Sequence, residues 1–436
     1  MKLIEDIIDK ILPSEKDEKK LEKIVDEIFE EIENRKPSDA ETMLVGSVAK
    51  GTYLKDSLDI DFFILFPKSY DKKEMEKIVI LIGKEILKEW RIQYAEHPYI
   101  RGYYKGYEVD IVPCYKIKDI GEMKSSVDRT PFHTEYIKKQ MNQKMKNETR
   151  LLKKFLKAIG CYGAEARIEG FSGYLAELLI LKYGSFLNLI KNAARWHGKI
   201  FLTLNNGDNK FEEEFVFIDP VDPSRNVAAA LSREKLELFI KASKAFLENP
   251  SKKFFFPKSV PKMGIKEIEK KLENFIGVCF EKPNLVDDVL YPQLKKAAKS
   301  MEGLFIQYDF EPIRRAWHAN EEAFILIELR KVEIGKEKIH KGPPIKDKKN
   351  VQSFIQKWKN CEDAIGKPFE KDGRVWIKIK RKYTNAMELL ENKLNEISLG
   401  KNIDEIKDKI KICSKETAKF VDFWSEYFCN LFPWER

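Results

Sequence analysis

The sequence predicts an α+β fold of more than one domain, on three observations. Residues 42–115 carry strand-like apolar alternation, residues 131–195 return to helical spacing, and residues from 275 onward mix the two. The 436 residues allow roughly three domains at about 100–200 residues each.

The elements follow in order. Ile4, Ile7, Ile8, Ile11 and Leu12 recur at helical spacing up to a break at Pro13-Ser14. Leu21, Ile24, Val25, Ile28, Phe29 and Ile32 repeat the pattern. Strands are expected at 42–45, 59–66, 91–95, 100–104 and 107–112, with a helix over 72–89. After the helical stretch, Asp219-Pro220-Val221-Asp222-Pro223 is a turn-rich stop, and 232–247 is again helical. Pro250 and the prolines from Pro257 to Pro261 mark a boundary. Beyond it come a strand at 275–280, a helix at 288–306, strands near 313–317 and 323–332, a basic proline-containing loop at 335–350, a strand at 374–380 and closing helices. The division expected is 1–130, 131–260 and 261–436.

Composition narrows the class. A hydrophobic fraction of 43% is globular, and no apolar run approaches the ~20 residues needed to span a bilayer. The first residues carry acids rather than a signal-like apolar block, so a cytoplasmic protein without membrane partners is expected. The six cysteines are scattered without a C-x-x-C pair and read as thiols in a reducing compartment. The five histidines lack zinc spacing, which leaves oxygen to hold any metal. The net charge of +9 is mild and fits a heat-adapted surface as well as an RNA-binding one. Between His133 and Ala158, eight cations (Lys138, Lys139, Lys144, Lys146, Arg150, Lys153, Lys154, Lys157) face only Glu135 and Glu148. That stretch reads equally as a solvated helix face and as a phosphate-facing surface.

The chemistry concentrates at Gly46-Ser47-Val48-Ala49-Lys50-Gly51-Thr52 and the strand that carries Asp59-Ile60-Asp61. Side chains at i and i+2 of a strand share a face. Two acids beside a Gly-Ser turn of backbone N–H groups can hold a hard cation and a triphosphate together. Asp110, in Tyr107-Glu108-Val109-Asp110-Ile111-Val112-Pro113, adds a third carboxylate in an apolar strand. Such a charge is costly unless it is paired or metal-bound; a salt-bridged structural acid is the competing reading. Three acids on adjacent strands can hold two Mg²⁺ ions for nucleotidyl transfer.

These motifs resemble the polymerase-beta-like nucleotidyltransferase superfamily. The wider set is similar to the archaeal (class I) CCA-adding enzymes: Tyr94-Ala95-Glu96-His97-Pro98-Tyr99, Ser126-Val127-Asp128-Arg129-Thr130-Pro131-Phe132-His133, Gly163-Ala164-Glu165, Gly170-Phe171-Ser172-Gly173-Tyr174, and Asp219-Pro220-Val221-Asp222 with Arg225-Asn226-Val227-Ala228. The resemblance is dense to about residue 232 and looser beyond. It implies a nucleotidyltransferase palm with a mixed/antiparallel sheet, a mainly helical central domain, and a C-terminal α+β, RRM-like domain with a helical tail. The implied reaction is template-independent addition of C, C and A from CTP and ATP to the 3′ end of tRNA, releasing pyrophosphate, with Mg²⁺ and a homodimer as expected accompaniments. Asp59, Asp61 and Asp110 would be the metal ligands. Ser47, Lys50, His133, Lys153 and Tyr162 would hold the triphosphate, and Arg225 would read the base. The family often has Glu where Asp59 stands, and Arg where Lys50 stands.

Other readings stay beside these. Lys153 and Lys154 are neighbours that diverge by about 100° on a helix, so only one can face a phosphate. His133 could instead be satisfied by Asp128 or a backbone carbonyl, Tyr162 could be a core aromatic, and Arg225 a turn cation. Glu96 and His97 read as primer-end positioning or as structure rather than an acid–base pair. Strand 374–380 alternates Val375, Ile377 and Ile379 with Arg374, Trp376, Lys378 and Lys380, a cationic face that suits the upper arm of tRNA or plain solvent. A poly(A)-type or other terminal RNA nucleotidyltransferase, or a noncatalytic RNA-binding relative, are the alternative functions.

Overall fold

The computed structural model describes residues 2–94, 97–205 and 210–436. These form two compact units, Met1–Ser259 with Asn430–Arg436, and Val260–Cys429.

The first unit opens with helices α1 (Lys2–Ile11) and α2 (Glu15–Glu33). Ser14 starts α2 through a reciprocal capping box with Asp17, and the helix buries Leu21, Ile24, Ile28 and Ile32 on one stripe. A five-stranded sheet follows, with strands β1 (Glu41–Val45), β2 (Asp59–Phe66), β3 (Lys88–Tyr94), β4 (Pro98–Tyr104) and β5 (Tyr107–Tyr115). Helices α3 (Gly46–Lys50) and α4 (Lys72–Ile86) lie in its connections. The order is β1-β2-β5-β4-β3, with β2 and β5 parallel and the other pairs antiparallel. The mixed sheet is the one expected. Ile60, Phe62, Ile64 and Phe66 of β2 pack with Val79 and Ile82 of α4 and with the α2 stripe. Strict alternation therefore turns Asp59 and Asp61 to the opposite face.

The helical part comprises α5 (Thr130–Gln140), α6 (Gln143–Ala158), α7 (Gly173–Tyr183), α8 (Phe186–Ala193) and α9 (Arg233–Glu248), with a short parallel pair β6 (Ile200–Leu202) and β7 (Phe215–Phe217). Phe155 of α6 is its centre, in ring contact with Phe186, Phe239, Phe246, Phe254 and Phe255. The chain end returns here, where Trp434 stacks on Phe254 at 5.5 Å. The cationic run does not form one face: Arg150 and Lys153 point inward and are buried.

The second unit contains α10 (Ile265–Lys271), β8 (Phe275–Glu281), α11 (Asp287–Gln307), β9 (Pro312–Ala319), β10 (Glu322–Leu329), β11 (Glu337–Pro344), α12 (Lys348–Lys359), β12 (Ala364–Lys371), β13 (Arg374–Lys380), α13 (Ala386–Lys393), α14 (Lys401–Asp404), β14 (Lys411–Cys413) and α15 (Val421–Tyr427). Its main sheet is antiparallel in the order β14-β8-β10-β9. With α11 after β8 and α13 before β14, this is the β-α-β-β-α-β pattern of an RRM-like domain. A three-stranded sheet, β11-β13-β12, is inserted between β10 and α13.

Two expectations are corrected here. The loop expected at 335–350 contains strand β11 and the start of α12. The Gly342-Pro343-Pro344 triplet hid the strand, but the prolines fall beyond a register shift after Lys341, where the ladder asks for fewer N–H donors. And Cys279 and Cys413 are joined in a disulfide with Cα atoms 5.8 Å apart, while the other four cysteines are thiols. The two are separated by 134 residues and meet because β14 pairs with β8, a juxtaposition that no spacing rule reveals.

Closing so long a loop restricts the unfolded chain by up to about 5 kcal/mol on the entropic account. Thermal unfolding of the protein with and without a strong reductant is expected to differ by several degrees, with Cys413→Ser matching the reduced form. Superimposable curves would show that the two sulfurs are unpaired in solution.

Candidate active site

Three pieces of backbone build the site. The first is the turn after β1. Gly46 has a φ of +69°, and a Cβ placed there would lie 1.9 Å from Asp61 Oδ2. Only glycine lets the chain cross over that carboxylate. Helix α3 then runs one turn and stops at Gly51, which has a left-handed φ of +67°. The turn delivers Ser47, half-buried, and swings Lys50 and Thr52 inward.

The second piece is the β2–β5–β4 ladder. Asp61 pairs with Asp110 across the parallel strands, and Asp59 pairs with Glu108. Asp59 is exposed, Asp61 half-buried and Asp110 buried. Burial, and then the charges of Asp110 and Asp59, push the Asp61 carboxyl up to about 7 against the pull of Lys50 and Arg101. Burial also raises Asp110, opposed by Arg101. Arg101 stands opposite Asp110 on β4 and grips both its oxygens, Nε to Oδ1 and Nη2 to Oδ2, each at 2.6 Å. Among the described residues, no three His, Cys, Asp or Glu side chains are gathered tightly enough to hold a metal ion as they stand.

The third piece is the helical wall. Glu177 of α7 is completely buried. Lys50 Nζ donates to its Oε2 at 2.7 Å, and Thr52 Oγ1 donates to its Oε1 at 2.5 Å. Lys153 Nζ of α6 lies 3.3 Å from Oε1 and donates to Thr52 Oγ1 at 3.0 Å. Burial works against the Glu177 charge, but the two lysines outweigh it and hold its carboxyl below the usual range. Burial wins at Lys153, whose ammonium is pushed down despite Glu177. Tyr162 lies alongside, its phenol raised by burial and then by Glu177, and its hydroxyl approaches Gly173, where a Cβ would meet it at 3.1 Å. Lys50 acts electrostatically on Asp61, His133 and Tyr162 alike, which ties the three pieces together.

A second buried acid organises the far side. Asp219 accepts from Tyr174 Oη at 3.1 Å and from Arg225 Nη1 at 3.0 Å, and its Oδ2 lies 2.8 Å from His133 Nε2. The His133 ring stacks on Tyr174 with centroids 3.9 Å apart. Burial lowers the His133 pKa, with Asp219 opposing. The partner of His133 is thus neither Asp128 nor a carbonyl. Asp128 is spent on the backbone N–H groups of Tyr115, Lys124 and Ser125.

The neighbouring lysines separate as helix geometry requires. Lys153 joins the buried cluster, whereas Lys154 pairs with Asp56 at 2.6 Å on the outside. Of the loop pair, Glu96 lies outside the described residues, and His97 is buried with Nδ1 3.5 Å from Glu76 Oε1. Sequence reasoning gave no role to Arg101, Thr52, Glu177 or Asp219. Glu177 had a usable signal: it is the one acid in the apolar run Tyr174-Leu175-Ala176-Glu177-Leu178-Leu179-Ile180-Leu181. Asp219 was masked by a turn-like Asp-Pro.

Three family models match the chain: a nucleotidyltransferase domain over residues 20–137, the second domain of tRNA nucleotidyltransferase over 147–256, and the C-terminal domain of CCA-adding enzyme over 273–415. The chain is 40% identical to the CCA-adding enzyme of Archaeoglobus fulgidus, across 95% of this chain and 94% of that one. It is 40% identical to that of Thermoplasma volcanium (95% and 93% covered) and 38% identical to that of Methanocaldococcus jannaschii (94% and 94%). Among solved structures it is similar to the Cid1 poly(U) polymerase with Mg 3′-dATP bound, at TM-score 0.46 and 16% identity over 57% of this chain and 94% of that one.

The Asp61 shift fixes a pH dependence. Its carboxyl ionises near 3.8 when unfolded and about 7 when folded, so the folded state holds the extra proton between those values. Stability is therefore lost as pH rises toward 7, and the cost is complete above it. In chelator, Asp61→Asn is expected to raise the thermal midpoint at pH 8 and to give a much smaller gain at pH 4.5. An equal gain at both pH values would show that Asp61 is not held out of its charged form.

Proposed function

The chain belongs to the family of CCA-adding enzymes, tRNA nucleotidyltransferases that add C, C and A to the 3′ end of tRNA without a nucleic-acid template, and we propose that Asp59, Asp61 and Asp110 carry its chemistry. The observation that supports this reading best is the register of Asp61 against Asp110, with Gly46 closing over Asp61. The donor set is all oxygen, and the raised Asp61 carboxyl marks an unmet demand for positive charge at that spot. These residues fit Mg²⁺. Two bound ions would supply activation of the attacking 3′ hydroxyl and stabilisation of the departing pyrophosphate.

The wall opposite the acids is positive. Lys50 and Lys153 share one carboxylate, which leaves a surplus charge inside the protein. We assign that surplus to the triphosphate of CTP or ATP, with Ser47, Tyr162 and His133 completing the cradle. Arg225 is held in place by Asp219 through the same carboxylate that holds His133. A fixed guanidinium can donate to cytosine N3 or adenine N1, whereas uracil N3 and guanine N1 present a proton of their own. Base and phosphate recognition are thereby linked through Asp219.

The tRNA grip is assigned to the region from 261 onward, with 1–130 as catalytic and 131–260 as central domain. The RRM-like sheet cannot offer bases the open aromatic face such domains use. One face packs against α11, and the other is covered by Ile268 of α10, Leu272 just after it and Trp424 of α15. The inserted sheet is different. Val375, Ile377 and Ile379 face inward, and Trp376, Lys378 and Lys380 face out. Lys341 and Phe369 pair with Trp376 on the same face. A cationic sheet with aromatic contacts suits phosphate and 2′-hydroxyl contact along the upper arm. No helix among the described residues is long and apolar enough to cross a membrane. A cytoplasmic homodimer is our reading of its setting, on the family resemblance alone.

The decisive assay uses tRNA lacking its terminal three nucleotides, resolved to one nucleotide. CTP alone is expected to add two residues, ATP to add one only after CTP, and Asp110→Ala to add none while still binding tRNA. Extension with ATP alone into a long tail would mark a poly(A)-type enzyme, and full activity in Asp110→Ala would remove the metal assignment. Separately, Lys378→Ala should weaken tRNA binding and reduce its salt slope by about one, with nucleotide affinity unchanged. An unaltered slope takes the inserted sheet out of the interface.

A further inference from the structure

Asp110 is already engaged. Arg101 stands directly across the β4–β5 ladder and takes both carboxylate oxygens at 2.6 Å. A forked guanidinium–carboxylate pair is among the strongest contacts two side chains make. It uses the same lone pairs that a cation would coordinate. A second seat for the guanidinium lies beside the first. Glu108 is two residues from Asp110 on β5, so it shares that face. Its Oε2 is 3.8 Å from Arg101 Nη1, and its Oε1 accepts from Arg91 Nη2 at 3.0 Å. The Arg101 side chain is 25% exposed while that of Asp110 is 8% exposed. The guanidinium can therefore turn toward Glu108 without moving a strand.

We propose that Arg101 is a positioning residue of the metal site, one that holds and neutralises Asp110 until a divalent cation displaces it toward Glu108. The inference rests on the assignment of Asp110 as a metal ligand. Without Arg101, three carboxylates would crowd one end of the sheet with Lys50 acting on Asp61 and Lys157 on Asp59 to offset them. With it, a bare cation must compete with a forked ion pair, so the protein alone binds divalent ions weakly. A nucleotide that brings its own charges to the lysine wall tips the exchange. Loading then follows the arrival of the nucleotide instead of preceding it.

The test measures Mn²⁺ binding to the full-length protein without nucleotide, by the electron paramagnetic resonance signal of free Mn²⁺. Arg101→Gln is expected to bind Mn²⁺ about tenfold more tightly than the parent. Arg101→Lys, which keeps the charge but loses the fork, should fall between them. Glu108→Gln, which removes the second seat, should bind more weakly. Asp110→Asn should cancel the gain of Arg101→Gln. Thermal melts in chelator show whether each variant is folded, and Arg101→Lys carries the test if Arg101→Gln is not. Equal or weaker Mn²⁺ binding in the folded Arg101 variants overturns this inference while leaving Asp110 as a ligand. Mn²⁺ binding that ignores Asp110→Asn in every background overturns the ligand assignment as well.

Discussion

The structure of the catalytic unit depends on one buried carboxylate. Glu177 is the point at which the turn after β1, helix α6 and helix α7 meet, through Lys50, Thr52 and Lys153. Placing ions in a low-dielectric interior costs several kcal/mol each, and pairing recovers this only when the geometry is good and the remaining donors and acceptors are satisfied. Here Glu177 takes three donors, and Thr52 passes a hydrogen bond from Lys153 on to it. Remove the acid and two ammonium groups face each other in the core. Keep it and both ammonium groups are held, with Lys50 close enough to act on Asp61. The same cluster therefore joins the helical part to the turn that follows β1.

That arrangement explains what the sequence could and could not show. The acid trio was legible because its ingredients are local. Alternation along β2 puts Asp59 and Asp61 on one face, and the only missing step, the β2–β5 register, joins two strands already evident as apolar runs. Glycine at position 46 was legible as a turn, but its real requirement is a contact with Asp61, fifteen positions away in sequence. Glu177 and Asp219 were harder, because each matters through partners from distant segments, and Arg101, only nine positions from Asp110, matters through a strand register. Arg101 in an exposed-looking strand has no signature until β4 is laid beside β5. The choice between Lys153 and Lys154 shows the boundary between the two cases. Helix geometry says that only one can face inward, and which one follows from the packing of Leu151, Leu152 and Phe155 around Lys153.

The second unit repeats the lesson at the level of topology. The three long strands of its main sheet, β8, β9 and β10, and helix α11 were readable from periodicity, whereas β14, which completes the order β14-β8-β10-β9, was not. The insertion was only half readable. β13 shows clean alternation because one of its faces covers Trp358 while the other is exposed. β11 and β12 are edge strands carrying Pro and Gly, and edges obey looser rules. The disulfide was invisible for a related reason. β14 is three residues long and gains its place only by pairing with β8.

The two buried acids share a design in which each gathers partners from different parts of the chain. Glu177 links the two lysines Lys50 and Lys153. Asp219 links His133 with Arg225, and Tyr174 donates to Asp219 while stacking on His133. A substrate that draws one partner toward itself changes the charge felt by the other, because both answer to one carboxylate. Burial opposes the Asp219 charge, but His133, the Val221 N–H and Arg225 outweigh it and hold the carboxyl below the usual range. If Arg225 reads the base as proposed, that contact would be felt at His133, and through Lys50, which acts on both His133 and Asp61, at the acids on the sheet. On the proposed assignment, selection of C or A need not act on the reacting atoms directly; it can act by setting how firmly the lysines at Glu177 and the imidazole at Asp219 are held.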